Sequence, residues 1–185
     1  HRHHRGALMH ILIGLLGRLI TAFFFVQRMQ RRAEIAKDIF DIAKDVPGDV
    51  RAAARRWGFK RRTDVHPVET IEDPRLALGG LGAAFIELDD LPTSETRGRL
   101  DIALRKHLNQ TAEEAQEISV LGAWFVRTCG GPEAALSRLA RKLYRMDQCA
   151  SFPTLMAIIE DASRGELSRR QTEALGDIKR AFRLS

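Results

Sequence analysis

The chain has 185 residues, 44% of them hydrophobic, with 30 Lys and Arg against 24 Asp and Glu and a formal charge of +6. That supplies a real core for one ordinary domain with an appendage. The two cysteines, Cys129 and Cys149, match no metal-binding spacing and read as two buried thiols in a reducing compartment; a disulfide between them would need their Cα atoms within about 7 Å, which sequence does not show. Low aromatic content with abundant Ala, Leu and Arg favours helices over a sheet. The basic excess lies in the N-terminal third, up to Arg62; such a bias points to anionic lipid or nucleic acid.

Residues 1–8 (HRHHRGAL) read as a tag or an extension, with Met9 as a plausible native start. The stretch 9–32, MHILIGLLGRLITAFFFVQRMQRR, is apolar enough to enter a bilayer and carries Arg18 near its middle. On the insertion scale a central arginine costs about 2.5 to 3.5 kcal/mol, and each Leu, Ile or Phe returns about 0.3 to 0.6. Insertion is therefore feasible, and so is lying in the interface. His10, Gly14, Gly17, Arg18 and Thr21 recur at helical spacing and form a narrow small and polar stripe, the kind of face with which helices meet partners. Arg28, Arg31 and Arg32 follow it, which sets the basic side on the cytoplasmic face.

Residues 33–73 read as a basic helical connector and linker. AEIAKDIFDIAKDV is amphipathic, and Pro47-Gly48 breaks it. Asp49 is placed to cap a short helix, DVRAAARRWGFKRR, that ends near Gly58. Its Arg55, Arg56, Trp57, Lys60, Arg61 and Arg62 mix cations with an aromatic. That mixture suits lipid headgroups with Trp at the interface, or phosphates with stacked bases. TDVHPVETIEDP is polar with two prolines and reads as a linker, with a boundary near residue 70.

From Pro74 the pattern is that of packed helices. LALGGLGAAFIEL is apolar nearly all round, as a helix central to a bundle is, and Gly79, Gly80 and Gly82 allow close neighbours. A helix starts at Thr93 or Ser94. Thr111 with Glu114, and Ser168 with Gln171, form capping boxes. Pro132 opens a helix with Leu136, Leu139, Leu143 and Met146 inward. No segment alternates with period two, so residues 74–185 read as an all-α bundle.

LGAAFIELDDLPTSETRGRLDIAL and LMAIIEDASRGELSRRQTEALGDI look alike: an apolar helix, a short acidic turn, a leucine (Leu91, Leu167) and a capped amphipathic helix. This pattern, over residues 74–184, resembles the TerB-like tellurite-resistance family, which includes the N-terminal domain of membrane-anchored DnaJ-like co-chaperones. The second turn keeps Gly165-Glu166-Leu167-Ser168, with Arg164 where that family has aspartate. The first keeps Leu91 and Glu95, with Leu88 and Asp89 at the aspartate and glycine positions. The resemblance implies a TerB-like bundle whose leucines and caps shape the turns, and a role in stress response. It also implies a divalent cation near the turns, for which the remaining acids are Asp89, Asp90, Glu95, Asp161 and Glu166. A cation such as calcium takes six to eight oxygens, within reach only if the two turns meet.

His66, His107, Cys129 and Cys149 form no catalytic grouping in the sequence, and no phosphate-binding, nucleotide-binding or metalloprotease motif occurs. His107, at a helix end, suits the helix dipole. The expectation is a non-enzymatic protein-interaction module attached to the cytoplasmic face of a bacterial inner membrane. It would serve envelope stress or act as an accessory subunit of a membrane complex, with lipids and other membrane proteins as partners and a homo-oligomer as a further option. A soluble nucleic-acid-binding protein and a divalent-metal-responsive sensor are the alternatives.

Overall fold

The computed structural model describes residues 46–163 and 167–184, and the stripe His10 to Thr21, Arg28, Arg31, Arg32 and Glu166 lie outside the described residues. The described residues belong to one compact unit, Asp45–Ser185. They form seven α-helices, one 3-10 helix and no strand: α1 (Gly48–Arg56), the 3-10 helix (Pro67–Thr70), α2 (Pro74–Ile86), α3 (Ser94–Leu108), α4 (Ala112–Thr128), α5 (Pro132–Asp147), α6 (Phe152–Ser163) and α7 (Arg169–Ala181). The all-α expectation is met. Among the described residues no helix is long and apolar enough to cross a membrane.

The chain's own punctuation sets the helix ends. Asp73 accepts from the Arg75 backbone N–H, with Pro74 at the first helical position of α2. Thr93 caps α3, and Asn109 closes it in the left-handed region at φ 53°. Both expected capping boxes form, Thr111 with Glu114 and Ser168 with Gln171. Each satisfies two backbone N–H groups that a helix start leaves orphaned.

α2 is the centre. Every residue from Leu76 to Phe85 is buried, and the helix packs against α3, α4, α5 and α6. Its closest approach is to α4. A Cβ on Gly122 would stand 2.5 Å from the Gly79 carbonyl oxygen and 2.7 Å from its carbon, so the two backbones touch with no side chain between them. Leu139 of α5 and Leu100 of α3 fill the space beside Gly80 and Gly82.

Three expectations change. Segment 46–73, read as connector and linker, is part of the compact unit from Asp45 on. Val50, Ala53, Val68 and Ile71 are at most 2% exposed; four apolar residues spread among charges leave no periodic signal. Asp49 is not the cap of α1: Pro47 holds that position, and the Asp49 carboxylate accepts from the Val50 N–H inside the first turn. In the turn after α2 it is Leu88 that folds back into the core, 3% exposed, while Leu91 stands out in solvent at 86%. The Leu88 N–H bonds the Phe85 carbonyl and turns the chain inward at that point. The two similar halves also pack differently, since α2 and α3 touch each other whereas α7 packs on α5.

Candidate functional site: the basic segment 51–62

α1 divides its arginines between two uses. Val50 and Ala53 face the bundle. Arg51 and Arg55, one turn apart, lie on the far side of the helix from them. Arg56 sits at the flank and is taken by the first turns of α4: its Nη2 is 3.2 Å from Glu113 Oε1 and its Nε 3.0 Å from Glu117 Oε1. Trp57 donates its indole N–H to the second oxygen of Glu117 at 3.2 Å. One carboxylate thus anchors both residues.

The other face of the Trp57 ring is covered. The Arg75 guanidinium lies 4.6 Å from its centroid and grips Asp73 through two nitrogens, at 2.7 and 3.0 Å. Burial pushes the Asp73 carboxyl up, but the Arg75 bonds and charge outweigh it and hold the group below the usual carboxylate range. Arg56, Trp57, Asp73, Arg75 and Glu114 line an open cleft of about 270 Å³. Its charges are already matched, so it offers no net attraction to an ion.

Gly58, at φ 64°, ends the helix, and the Phe59 N–H reaches back to the Ala54 carbonyl at 2.8 Å. This turn aims Phe59 into the bundle, where its ring packs edge-on against Phe125 and Trp124 with centroids 5.3 and 5.9 Å away. Such aromatic pairs add about 0.5–1.5 kcal/mol beyond burial. Both aromatics of RAAARRWGFKRR therefore serve the fold. The cations Arg51, Arg55, Lys60, Arg61 and Arg62 make no ion pair or side-chain hydrogen bond among the described residues, and Arg55, Lys60 and Arg62 are exposed. What the segment can do chemically is attract phosphates or carboxylates from solution.

The acids of the supposed cation site are placed differently. Asp89 and Asp90 are exposed, and Glu95 pairs with Arg99 one turn along α3 at 2.8 Å. Asp161 on α6 receives His107 Nε2 at 2.7 Å and Lys106 Nζ at 3.2 Å, both from the last turn of α3. His107 and Lys106 hold its carboxyl below the usual range. Among the described residues no three of His, Cys, Asp and Glu are grouped to hold a metal ion. Burial pushes the Cys129 thiol up, away from the thiolate that a nucleophile or a metal ligand needs.

Sequence reasoning missed Glu69, Glu113 and Glu117. Each forms its bonds with residues far away in the chain, and no local pattern announces such a partner. No protein-family model, curated protein or solved structure matches the chain.

Proposed function

We propose that this chain is a non-catalytic, helical protein-interaction module held at an anionic membrane surface, with segment 51–62 as its electrostatic contact. The observation that carries the reading is the sorting of charges within that segment. Arg56 is paired with Glu113 and Glu117, while Arg51, Arg55, Lys60, Arg61 and Arg62 make no ion pair among the described residues. Each cation near an anionic leaflet is worth about 1 kcal/mol, so a handful supplies useful binding without insertion. The aromatics argue against the nucleic-acid alternative, since base stacking needs exposed rings and Trp57 and Phe59 are engaged with the bundle. The apolar stretch 9–32 supports attachment from the sequence side. The resemblance to the TerB-like family extends the proposal to envelope stress on the cytoplasmic face of a bacterial inner membrane.

Co-sedimentation of the full chain with vesicles tests it. Binding to neutral phosphatidylcholine measures what residues 9–32 contribute, and the increment on adding phosphatidylserine measures the cations. That increment is expected to fall with salt. Arg55→Glu, Lys60→Glu and Arg62→Glu together should lower it by at least about 100-fold, from roughly 1 kcal/mol per cation. An increment untouched by the triple reversal sinks the reading.

A further inference from the structure

A second basic grouping lies on α5, and it has an acidic occupant. Arg138, Lys142 and Arg145 recur along one stripe of the helix, beside the face that buries Leu136, Leu139 and Leu143. All three converge on one residue of the 3-10 helix. Arg145 Nη2 is 2.6 Å from Glu69 Oε2, Arg138 Nη1 is 3.6 Å from Oε1, and Lys142 donates to the Glu69 carbonyl at 2.8 Å. The peptide carrying Glu69 is held firmly. The Glu69 N–H bonds the His66 carbonyl at 2.9 Å, the Val68 N–H bonds His66 Nδ1 at 3.2 Å, and Val68 and Ile71 are buried on either side. Among the described residues the charges do not balance: three cations face one carboxylate. The side chains of Arg138, Arg145 and Glu69 are 39%, 52% and 33% exposed, so solvent reaches the pairing.

We propose that Arg138, Lys142 and Arg145 form a docking site for an acidic peptide segment of a protein partner, with Glu69 as its internal stand-in. The chemistry follows from the occupant. What sits there now is a glutamate side chain on a short turn together with its own backbone carbonyl. Arginine forks match a carboxylate through two nitrogens, and clusters of them read acidic motifs. The 3.6 Å separation at Arg138 leaves that fork without close hydrogen-bond contact to Glu69. An incoming carboxylate can take Arg138 at once, and Arg145 when the Glu69 side chain swings out. The inference does not depend on lipid binding, because it concerns other residues, on α5 and the 3-10 helix, and another partner class.

The test uses the full chain and a fluorescein-labelled hexaglutamate peptide, read by anisotropy, with a hexaglutamine peptide as control. Glu69→Gln removes the competing charge. It should tighten hexaglutamate binding by up to about fivefold, the scale of one exposed ion pair, and leave the hexaglutamine signal unchanged. Arg138→Gln with Arg145→Gln should weaken hexaglutamate binding by about tenfold or more, as two charge-assisted contacts are lost. The Arg55, Lys60 and Arg62 reversals, which report the lipid proposal, should not alter the gain from Glu69→Gln. If Glu69→Gln lowers the melting temperature and leaves peptide affinity the same or weaker, Glu69 is only a tether and the proposal is overturned. A gain that appears on anionic vesicles but not on peptide overturns it too, in favour of a lipid headgroup.

Discussion

Replacing Gly122 with alanine adds one methyl group where two helix backbones already touch. The new carbon would lie 2.5 Å from the Gly79 oxygen, 2.7 Å from the Gly79 carbon and 3.0 Å from the Gly80 nitrogen. Favourable contacts between carbons lie at about 3.5–4.0 Å, so α2 and α4 must part by roughly 1 Å. Backbone atoms in the middle of a helix cannot rotate aside, and the separation spreads to every side chain at the crossing. Overpacking of this kind costs about 1–3 kcal/mol or more, and the better helix propensity of alanine returns at most about 1. A net loss of about 2 kcal/mol lowers the midpoint of a unit this size by roughly 4–8 °C. Gly98→Ala is the matched control, since nothing lies within 4 Å of its Cβ position inside α3; there only the propensity gain remains, about 0.5–1 kcal/mol upward. Urea unfolding with unchanged m-values and thermal melts followed by circular dichroism read both. If Gly122→Ala melts at or above the parent temperature while Gly98→Ala rises, the close crossing of α2 and α4 is wrong.

Phe59→Ala should destabilise the unit by about 2–4 kcal/mol and free the chain after it, so trypsin should cut after Lys60, Arg61 and Arg62 faster than in the parent; unaltered cleavage would mean that the ring is not the anchor. Asp101 gives a pH test. Burial raises its carboxyl above the ordinary value, its hydrogen bond to Ser119 opposes that, and its Oδ1 is buried without a partner. A carboxyl raised in the folded state binds its proton more tightly there, so stability is fullest below its unfolded pKa and declines as pH rises through the folded one. Asp101→Asn should therefore raise the melting temperature at pH 7, and the advantage should vanish below about pH 3.8. A variant less stable at pH 7, or an advantage that persists in acid, refutes this reading.

The parts of the fold written in local chemistry were legible. The capping boxes at Thr111 and Ser168, Pro74 and Pro132 at helix starts, and the apolar run through Gly79 to Gly82 all announce themselves within a few residues. Gly122 did not, since one glycine in an amphipathic helix carries no sign of the neighbour it admits. Segment 46–73 misled for a related reason. Its polarity is real, but Val68 and Ile71 need only two buried side chains to bind it to α4 and α5. In the candidate interface the cations were visible and their sorting was not. Whether Arg55 or Arg56 is paired depends on Glu113 and Glu117, far along the chain. Glu69 was invisible as a hub because its three partners lie on a helix that begins at Pro132.

The place of α2 in the middle of the unit bears on how the chain leaves the ribosome. Its apolar surface ends at Ile86, yet α4, α5 and α6, which cover it, are complete only at Ser163. At synthesis rates of about 5–20 residues per second, the nascent chain carries that uncovered helix for roughly 4–15 s. A segment so apolar and so early is a natural substrate for ribosome-associated chaperones, and expression yield should depend on their supply more than the modest size of the unit suggests.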